Sequence, residues 1–426
     1  MRCALVLALW TTNGFAAAAE GSPAKERTPA YYRGRTEPRA ASVALEWIPR
    51  VIFYPVYFIS EYAVRRPIYA VAGWIDRHHV VPTIDKVFNP TPNIHWVPTL
   101  SIDTGADTFV GARGDWRNLL VSGHDASGSV ATGGIKAWQL QVKDRWQVSD
   151  HIRLGVRGDF ESRADRTFYG FGPRSLVSSG VHFGLVKTNA LTFASFEYRN
   201  HFRLEVAEGL RRIVTDLDTS SRSSRVPQIL PQHAEFTLAV ASIDLALDSR
   251  ATHEQINGVR LTGNVTYARD TGEHSFASTE GDLEGAFEIS RPDRVLVARV
   301  YAKDTHPIAN RKIPFMNLAT LGGENHYGFN WGRFRGESAL MAEVRYRNPI
   351  AYDFDAQWTL SVGNVFSRHF QDFSPAALTG SLGFGLRTRR ASFGPFELMF
   401  AVGTSTFDDR FKVENFRVYL GTAERL

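Results

Sequence analysis

The sequence is poor in cysteine, since Cys3 is the only one among 426 residues. Arg2, the apolar segment Ala4–Trp10 and the small residues Ala17–Ala19 have the pattern of a secretory signal, predicted at residues 1–19. Cys3 lies inside this segment, so the mature chain is expected to have no thiol. This excludes a disulfide, a cysteine-based zinc site and a cysteine nucleophile.

Long apolar runs and clusters of one charge are also lacking. No apolar stretch within residues 43–79 reaches about 18 residues without a charge or a proline, so a transmembrane helix is not expected. The formal net charge is +5, but Lys and Arg are spread along the chain, whereas nucleic-acid binding needs a clustered basic surface. We expect no nucleic-acid partner. Abundant aromatic residues and glycines fit a transmembrane β-barrel.

Catalytic motifs are lacking as well. The sequence has no G-x-S-x-G elbow, no P-loop and no H-E-x-x-H segment. We interpret His78-His79 as a solvated helix end, and we expect His306, His326 and His369 to lie exposed in long loops. The sequence therefore predicts no enzyme, no metal site and no cofactor.

The N-terminal region differs in composition from the rest. Residues 20–42 are polar and rich in Pro and Arg, which indicates a flexible leader. Residues 43–94 are predicted as an amphipathic helical segment, whose prolines divide it into two or three short helices. At 100° per residue its charges share one stripe about 100° wide. The stripe consists of Glu46, Arg50, Glu61 and Arg65. Two placements stay open: packing on a core, or a position at the membrane interface or in a barrel lumen.

From residue 95 onward the pattern has period two, which predicts strands. In one predicted strand, Leu340, Ala342 and Val344 alternate with Met341, Glu343 and Arg345. In a membrane barrel the apolar face contacts lipid and the charged face lines the lumen. We therefore expect an all-β barrel of about 16 antiparallel strands over residues 95–426. Its predicted lumen-facing residues are Glu343, Arg345, Arg347 and Asp355.

Loop lengths support this barrel. The long predicted connections all follow odd-numbered strands: 164–181, 210–234, 270–281, 305–337 and 367–377. Long loops on one rim and short turns on the other are typical of outer-membrane barrels. The third strand is predicted at 117–123, and a phase slip around Ala241–Ile243 predicts a bulge in the eighth.

Four motifs resemble those of the BamA/TamA superfamily, also called bacterial surface antigens. They are Phe168–Gly172, the loop and strand at 321–347, Val362–Val365 and Leu382–Arg387. The resemblance implies an outer-membrane barrel that inserts proteins or moves lipids. Since the residues before the first strand indicate coil and helix, the chain resembles the short members that lack POTRA repeats.

The loop motif departs from the family pattern at three charged positions. Its residues are Tyr327, Gly328, Phe329, Arg333, Phe334 and Arg335. The resemblance implies an Arg at Tyr327, a Glu at Arg345 and an Asp at Ser361, which together would lock the loop to the wall. Losing one partner of a buried charge pair favours losing the others. We hypothesise that Arg333 or Arg335 pairs instead with Glu343 or Asp355.

The resemblance also implies a first and a last strand that pair poorly and open sideways. Pro98 in the first strand removes a ladder donor, which is tolerated at a weak edge. Phe416 lies on the apolar face of the last strand. We expect a monomer in the bacterial outer membrane that acts on membrane lipids, or that assists insertion of other outer-membrane proteins. The alternative is a passive pore or a surface-exposed interaction barrel.

Overall fold

The computed structural model describes residues 87–217, 231–250, 257–289, 294–351, 354–388 and 396–422, together with Arg66. The predicted signal, the leader and the stripe formed by Glu46, Arg50, Glu61 and Arg65 lie outside the described residues. Within the described ranges, no helix has the length and apolar character to cross a bilayer.

In the described part of the chain, sixteen strands form one closed barrel in which all neighbours are antiparallel. They are β1 (Ile94–Asp103), β2 (Phe109–Trp116), β3 (His124–Gly134), β4 (Ala137–Gln147), β5 (Ile152–Phe168), β6 (Val181–Tyr198), β7 (Phe202–Leu217), β8 (His233–Asp248), β9 (Gly258–Arg269), β10 (Ser275–Glu288), β11 (Val295–Pro307), β14 (Ser338–Ala351), β15 (Phe354–Phe366), β16 (Thr379–Thr388), β17 (Phe396–Thr406) and β18 (Val413–Thr422). Two short strands, β12 (Ala319–Leu321) and β13 (Phe334–Gly336), form a separate ribbon between β11 and β14. The predicted all-β class, strand count and antiparallel order are confirmed.

The two faces of the barrel wall differ in polarity. On the outside, Leu210 and Leu360 are 56% and 57% exposed. On the inside, Arg299, Glu343 and Arg345 are buried, each at 5% exposure or less. A wall that is apolar outside and charged inside is suited to lipid around it and to a polar lumen within it.

One strand was predicted in the wrong place. The third strand is His124–Gly134 rather than 117–123, and residues 117–123 form the turn before it. Leu119, Leu120 and Val121 suggested a strand by their apolar character, but they lie exposed in this turn. The real β3 consists largely of Gly, Ala and Ser, so its alternation is weak.

The predicted bulge in β8 is wrong. β8 pairs with both β7 and β9 without a register shift. Leu238 and Val240 point inward, where they pack with Ala268 and Phe276. Apolar residues on the inner face of this half of the strand therefore account for the change of phase.

The long connections that the structure describes in full lie at one rim: residues 169–180, 308–337 and 367–378. The connection predicted at 270–281 is short, because β10 begins at Ser275. Residues 308–337, which we call the inward loop, fold into the lumen. Leu321, Phe329 and Phe334 of this loop are buried against side chains of the wall.

Candidate functional site at the inward loop and the seam

The tip of the inward loop, His326–Phe329, is fixed to three strands of the wall. The Tyr327 hydroxyl donates to Oε2 of Glu397 on β17 at 3.1 Å. The Gly328 amide donates to Oγ of Ser381 on β16 at 2.7 Å. Nδ1 of His326 lies 2.9 Å from Oγ of Ser361 on β15. The tip is thus held by hydrogen bonds at positions where the family resemblance implies charge pairs.

His326 is one of the residues that hold the loop tip to the wall, and it does so as an uncharged side chain. Its side chain is fully buried, which contradicts the expectation that it would be exposed. Its second ring nitrogen, Nε2, lies 3.0 Å from Oγ1 of Thr379. Burial lowers the pKa of His326 to about 3, so the imidazole stays neutral near neutral pH. A neutral His326–Ser361 contact therefore occupies the place where the resemblance implies a buried Asp.

We predict that acid releases the loop tip. The pKa of His326 is about 3 when buried, against 6.5 when solvated, so its contribution is fully present above pH 6.5 and is lost as the pH falls toward 3. Each pH unit below 6.5 costs about 1.4 kcal/mol, or about 2 kcal/mol at pH 5. Hydrogen exchange of residues 322–330, corrected for intrinsic rates, should show faster opening at pH 5 than at pH 7.5.

The control is His326→Gln, which keeps hydrogen-bonding groups but does not titrate in this range. Two acidic groups near the loop tip can also titrate as the pH falls: Glu397, which accepts from Tyr327, and Glu324, which accepts from Tyr419. Both remain in the variant. A variant with the same pH dependence as the parent would assign the effect to these carboxylates and contradict the role of His326.

A chain of polar contacts continues from the tip along the lumen. Glu397 accepts from Nε2 of Gln357 at 2.6 Å through its other oxygen. Oε1 of Gln357 accepts from Nε of Arg347 at 3.1 Å. The loop tip is thereby connected, through Glu397 of β17, to a lumen arginine on β14, three strands further along the wall. The predicted inward direction of Arg347 agrees with this contact.

The other predicted lumen residues also face inward, but the hypothesised pairing of Arg335 with Glu343 is wrong. Glu343, Arg345 and Asp355 are buried. Glu343 pairs with Arg345, two residues along the same strand. Arg335 donates through Nη1 to the carbonyl oxygen of Phe315, and its Nε and Nη2 have no hydrogen-bond partner among the described residues. The guanidinium instead packs against an aromatic ring of the loop itself.

Arg333 joins the inward loop to the loop after β5. It donates to both Oγ and the carbonyl oxygen of Ser175 at 2.7 Å. Its nearest carboxylate is Glu414, at 3.7 Å, which differs from the hypothesised partners. The amide of Gly172 donates to the Arg335 carbonyl at 2.9 Å. Two motifs that are far apart in the sequence, Phe168–Gly172 and the loop motif, therefore meet in space.

The junction of β1 and β18, which we call the seam, has the shortest ladder of the barrel within the part of the chain that the structure describes. Among the described residues, three positions pair: Ser101 with Gly421, Ile102 with Leu420 and Asp103 with Tyr419. The other neighbouring strands pair at seven or more positions, with β2–β3 the next shortest. A ladder this short holds the barrel closed with few backbone hydrogen bonds.

A buried ion pair reinforces the seam. Arg417 on β18 donates through Nε and Nη2 to the two carboxylate oxygens of Asp103 on β1, at 2.7 and 2.8 Å. The two side chains are 3% and 12% exposed. Nη1 of Arg417 also donates to the Tyr327 carbonyl at 3.3 Å. Arg417 therefore contacts both the opposite edge of the seam and the inward loop.

The predicted seam residues lie beside this short ladder. Pro98 is exposed on β1 and pairs with Ala112 of β2, outside the three seam positions. Phe416 is 59% exposed on β18, opposite Val402 of β17. Their part in a lateral opening stays a prediction.

Several residues of the site were not identified from the sequence, among them Asp103, His326 and Arg417. The strand pattern contained a usable signal for Asp103 and Arg417, since they have opposite charges at inward-facing positions of the first and last strands. No comparable signal marks His326, because its burial depends on how the loop folds.

These features define a transmembrane β-barrel of the bacterial outer membrane: sixteen closed antiparallel strands, an apolar exterior and a charged lumen. The fold resembles BamA from Haemophilus ducreyi, solved without POTRA domains 1–3, with a TM-score of 0.58 at 12% identity over 78% of this chain and 70% of that one.

It also resembles CdiB. The match to CdiB from Acinetobacter baumannii has a TM-score of 0.51 at 12% identity and covers 78% of this chain and 60% of that one. For CdiB from Escherichia coli the values are 0.52, 13%, 76% and 62%. The chain thus spans less than two thirds of the CdiB chains. No family model and no curated protein matches the sequence.

Proposed function

We propose that this barrel opens at the seam and perturbs the bilayer there, moving lipids or assisting the insertion of other membrane proteins. The observation that carries the proposal is the ladder between β1 and β18, which has three paired positions among the described residues. On the loop side, the last backbone contact between the two edges joins Thr104 and Val418, whereas β18 begins five residues earlier, at Val413. Unpaired backbone groups facing hydrocarbon are costly, so this edge favours a disturbed bilayer.

The lumen supports movement of polar headgroups. A cavity of about 870 Å³ is lined by charged side chains, among them Glu284, Arg299 and Arg417. Arg417 lies at the seam and at this cavity. A polar surface beside an opening lowers the barrier for a headgroup crossing the hydrocarbon.

Cross-linking the seam tests the proposal. The double substitution Ile102→Cys and Leu420→Cys places two thiols at directly paired positions, within the range of a disulfide. In liposomes with a fluorescent lipid, the oxidised protein is expected to lose lipid exchange between leaflets, and reduction should restore it. Leu360→Cys with Leu382→Cys is the matched control, since these lipid-facing residues pair between β15 and β16.

Lipid movement that persists when the seam is cross-linked would contradict the proposed opening between β1 and β18. Co-reconstitution with an unfolded client barrel distinguishes the two activities, because an insertion role predicts faster client folding only when the seam is reduced. The passive pore, favoured by the polar cavity, predicts release of small solutes instead. The inward loop opposes that function, because it fills part of the lumen.

A further inference from the structure

Three metal-ligating side chains converge near the loop-side end of β11. Asp304 and His306 lie two residues apart on this strand, so both point to the same face. His369 reaches them from the connection between β15 and β16. One ligand atom from each residue can be chosen so that all three lie within 4.8 Å of one another.

The carboxylate of Asp304 is held in place by its neighbours. Its Oδ1 accepts from Oγ of Ser338 at 2.7 Å and from the backbone amide of His369 at 2.8 Å. Its Oδ2 faces the two imidazoles, 2.7 Å from Nδ1 of His369 and 3.5 Å from Nδ1 of His306. One oxygen therefore orients the group, and the other points into the space between the histidines.

The two histidines are positioned differently. His369 and Phe370 both adopt left-handed φ angles, 55° and 58°, which non-glycine residues rarely adopt. This turn brings the His369 ring over the strand, 5.3 Å from the His306 ring between centroids. Nδ1 of His306 is buried and has no hydrogen-bond partner among the described residues. This nitrogen faces Oδ2 of Asp304 at 3.5 Å without forming a hydrogen bond, and an ion between the two atoms would satisfy both of them.

We propose that Asp304, His306 and His369 bind a divalent transition metal, with Zn²⁺ as the best fit. Two imidazoles and one carboxylate form a donor set suited to zinc, and a solvent molecule would complete a four-coordinate shell. Metal–nitrogen bonds of about 2.0–2.1 Å require only small side-chain movements from the present separations. Since His369 belongs to the connection after β15, the ion would fasten residues 367–378 to β11.

Calorimetric titration of the full chain in detergent, without a polyhistidine tag, tests the site. Zn²⁺ is expected to bind with a stoichiometry of one, and Co²⁺ in its place should give the visible absorption of a four-coordinate ion. His306→Ala should weaken Zn²⁺ binding by at least about tenfold, since even the loss of a group that only orients a metal ligand typically costs about 10–100-fold. This variant leaves the hydrogen bonds of the loop intact, so it should fold normally.

His233→Ala is the matched control. His233 also contacts a carboxylate, that of Asp216 at 2.6 Å, but the pair is exposed and belongs to no three-residue cluster among the described residues. Its loss should leave Zn²⁺ binding unchanged. The proposal is overturned if the parent protein binds no Zn²⁺ at millimolar concentration, or if His306→Ala and His233→Ala bind alike. Zn²⁺ should also slow proteolysis within residues 367–378 of the parent and not of His306→Ala.

Discussion

Arg417→Ala is expected to lower the free energy of unfolding by about 3–5 kcal/mol, because it leaves the Asp103 carboxylate buried without its partner. The two side chains are 3% and 12% exposed, so solvent can replace little of the lost interaction. The same substitution removes the hydrogen bond to the Tyr327 carbonyl. Urea unfolding in detergent micelles, followed by tryptophan fluorescence, measures the effect.

A double-mutant cycle separates the pair from other losses. Asp103→Asn combined with Arg417→Ala should be less destabilising than the sum of the single changes, because each single variant leaves one buried charge without its partner and the double variant leaves none. Arg212→Ala is the control: it breaks a 2.7 Å pair with Glu235, but both side chains are about half exposed. Such pairs contribute about 0–1 kcal/mol. Equal effects at Arg417 and Arg212 would contradict the importance of burial at the seam.

Gly328→Val is expected to expel the tip of the inward loop from the lumen while the barrel stays closed. A Cβ atom at this position would lie 2.3 Å from the carbonyl oxygen of Val402 and 2.6 Å from the amide nitrogen of Gly403. Both are backbone atoms of β17 and cannot rotate away. The tip must therefore move, and it would lose its bonds to Ser381 and Asn415.

The expected cost is at least about 1–3 kcal/mol, as for an overpacked core. Since each 1.4 kcal/mol changes an equilibrium about tenfold, proteolysis within residues 322–330 should accelerate by about tenfold or more. Gly281→Val is the control, because a Cβ there meets no atom within 4 Å. Unchanged mobility of the folded barrel on gels shows that the wall persists. Equal protease resistance of the two variants would mean that the close approach of Gly328 does not hold the tip.

The strand pattern predicted the wall well because a membrane barrel imposes the same constraint on every strand. Leu340–Arg347 shows why: outward residues must suit lipid and inward residues must suit a polar lumen, so alternation is strong. The pattern failed where this constraint is relaxed. β3 has small residues on both faces, and the inner face of β8 is apolar because it packs on other apolar side chains.

The contacts of the site were less predictable than the strands. Parity placed Glu343 and Arg345 in the lumen, but it could not distinguish a pair within one strand from a pair with Arg335. Partners in the loop depend on its path, which follows from packing of Phe329 and Phe334 on the wall. The Tyr327–Glu397 bond joins residues 70 positions apart, a separation that no local pattern encodes.

Arg417 of β18 contacts both the inward loop and β1, so the two edges of the seam are not held in the same way. β18 is tied to the inward loop through the bond from Arg417 to the Tyr327 carbonyl and the bond from Asn415 to the Gly328 carbonyl. Arg417 is connected to β1, in contrast, through its ion pair with Asp103. If the seam opens as we propose, we therefore expect β1 to move away while β18 stays attached to the inward loop. The movement would carry the Asp103 carboxylate away with β1 and leave the Arg417 guanidinium on β18. The opening would therefore favour lipids with anionic headgroups.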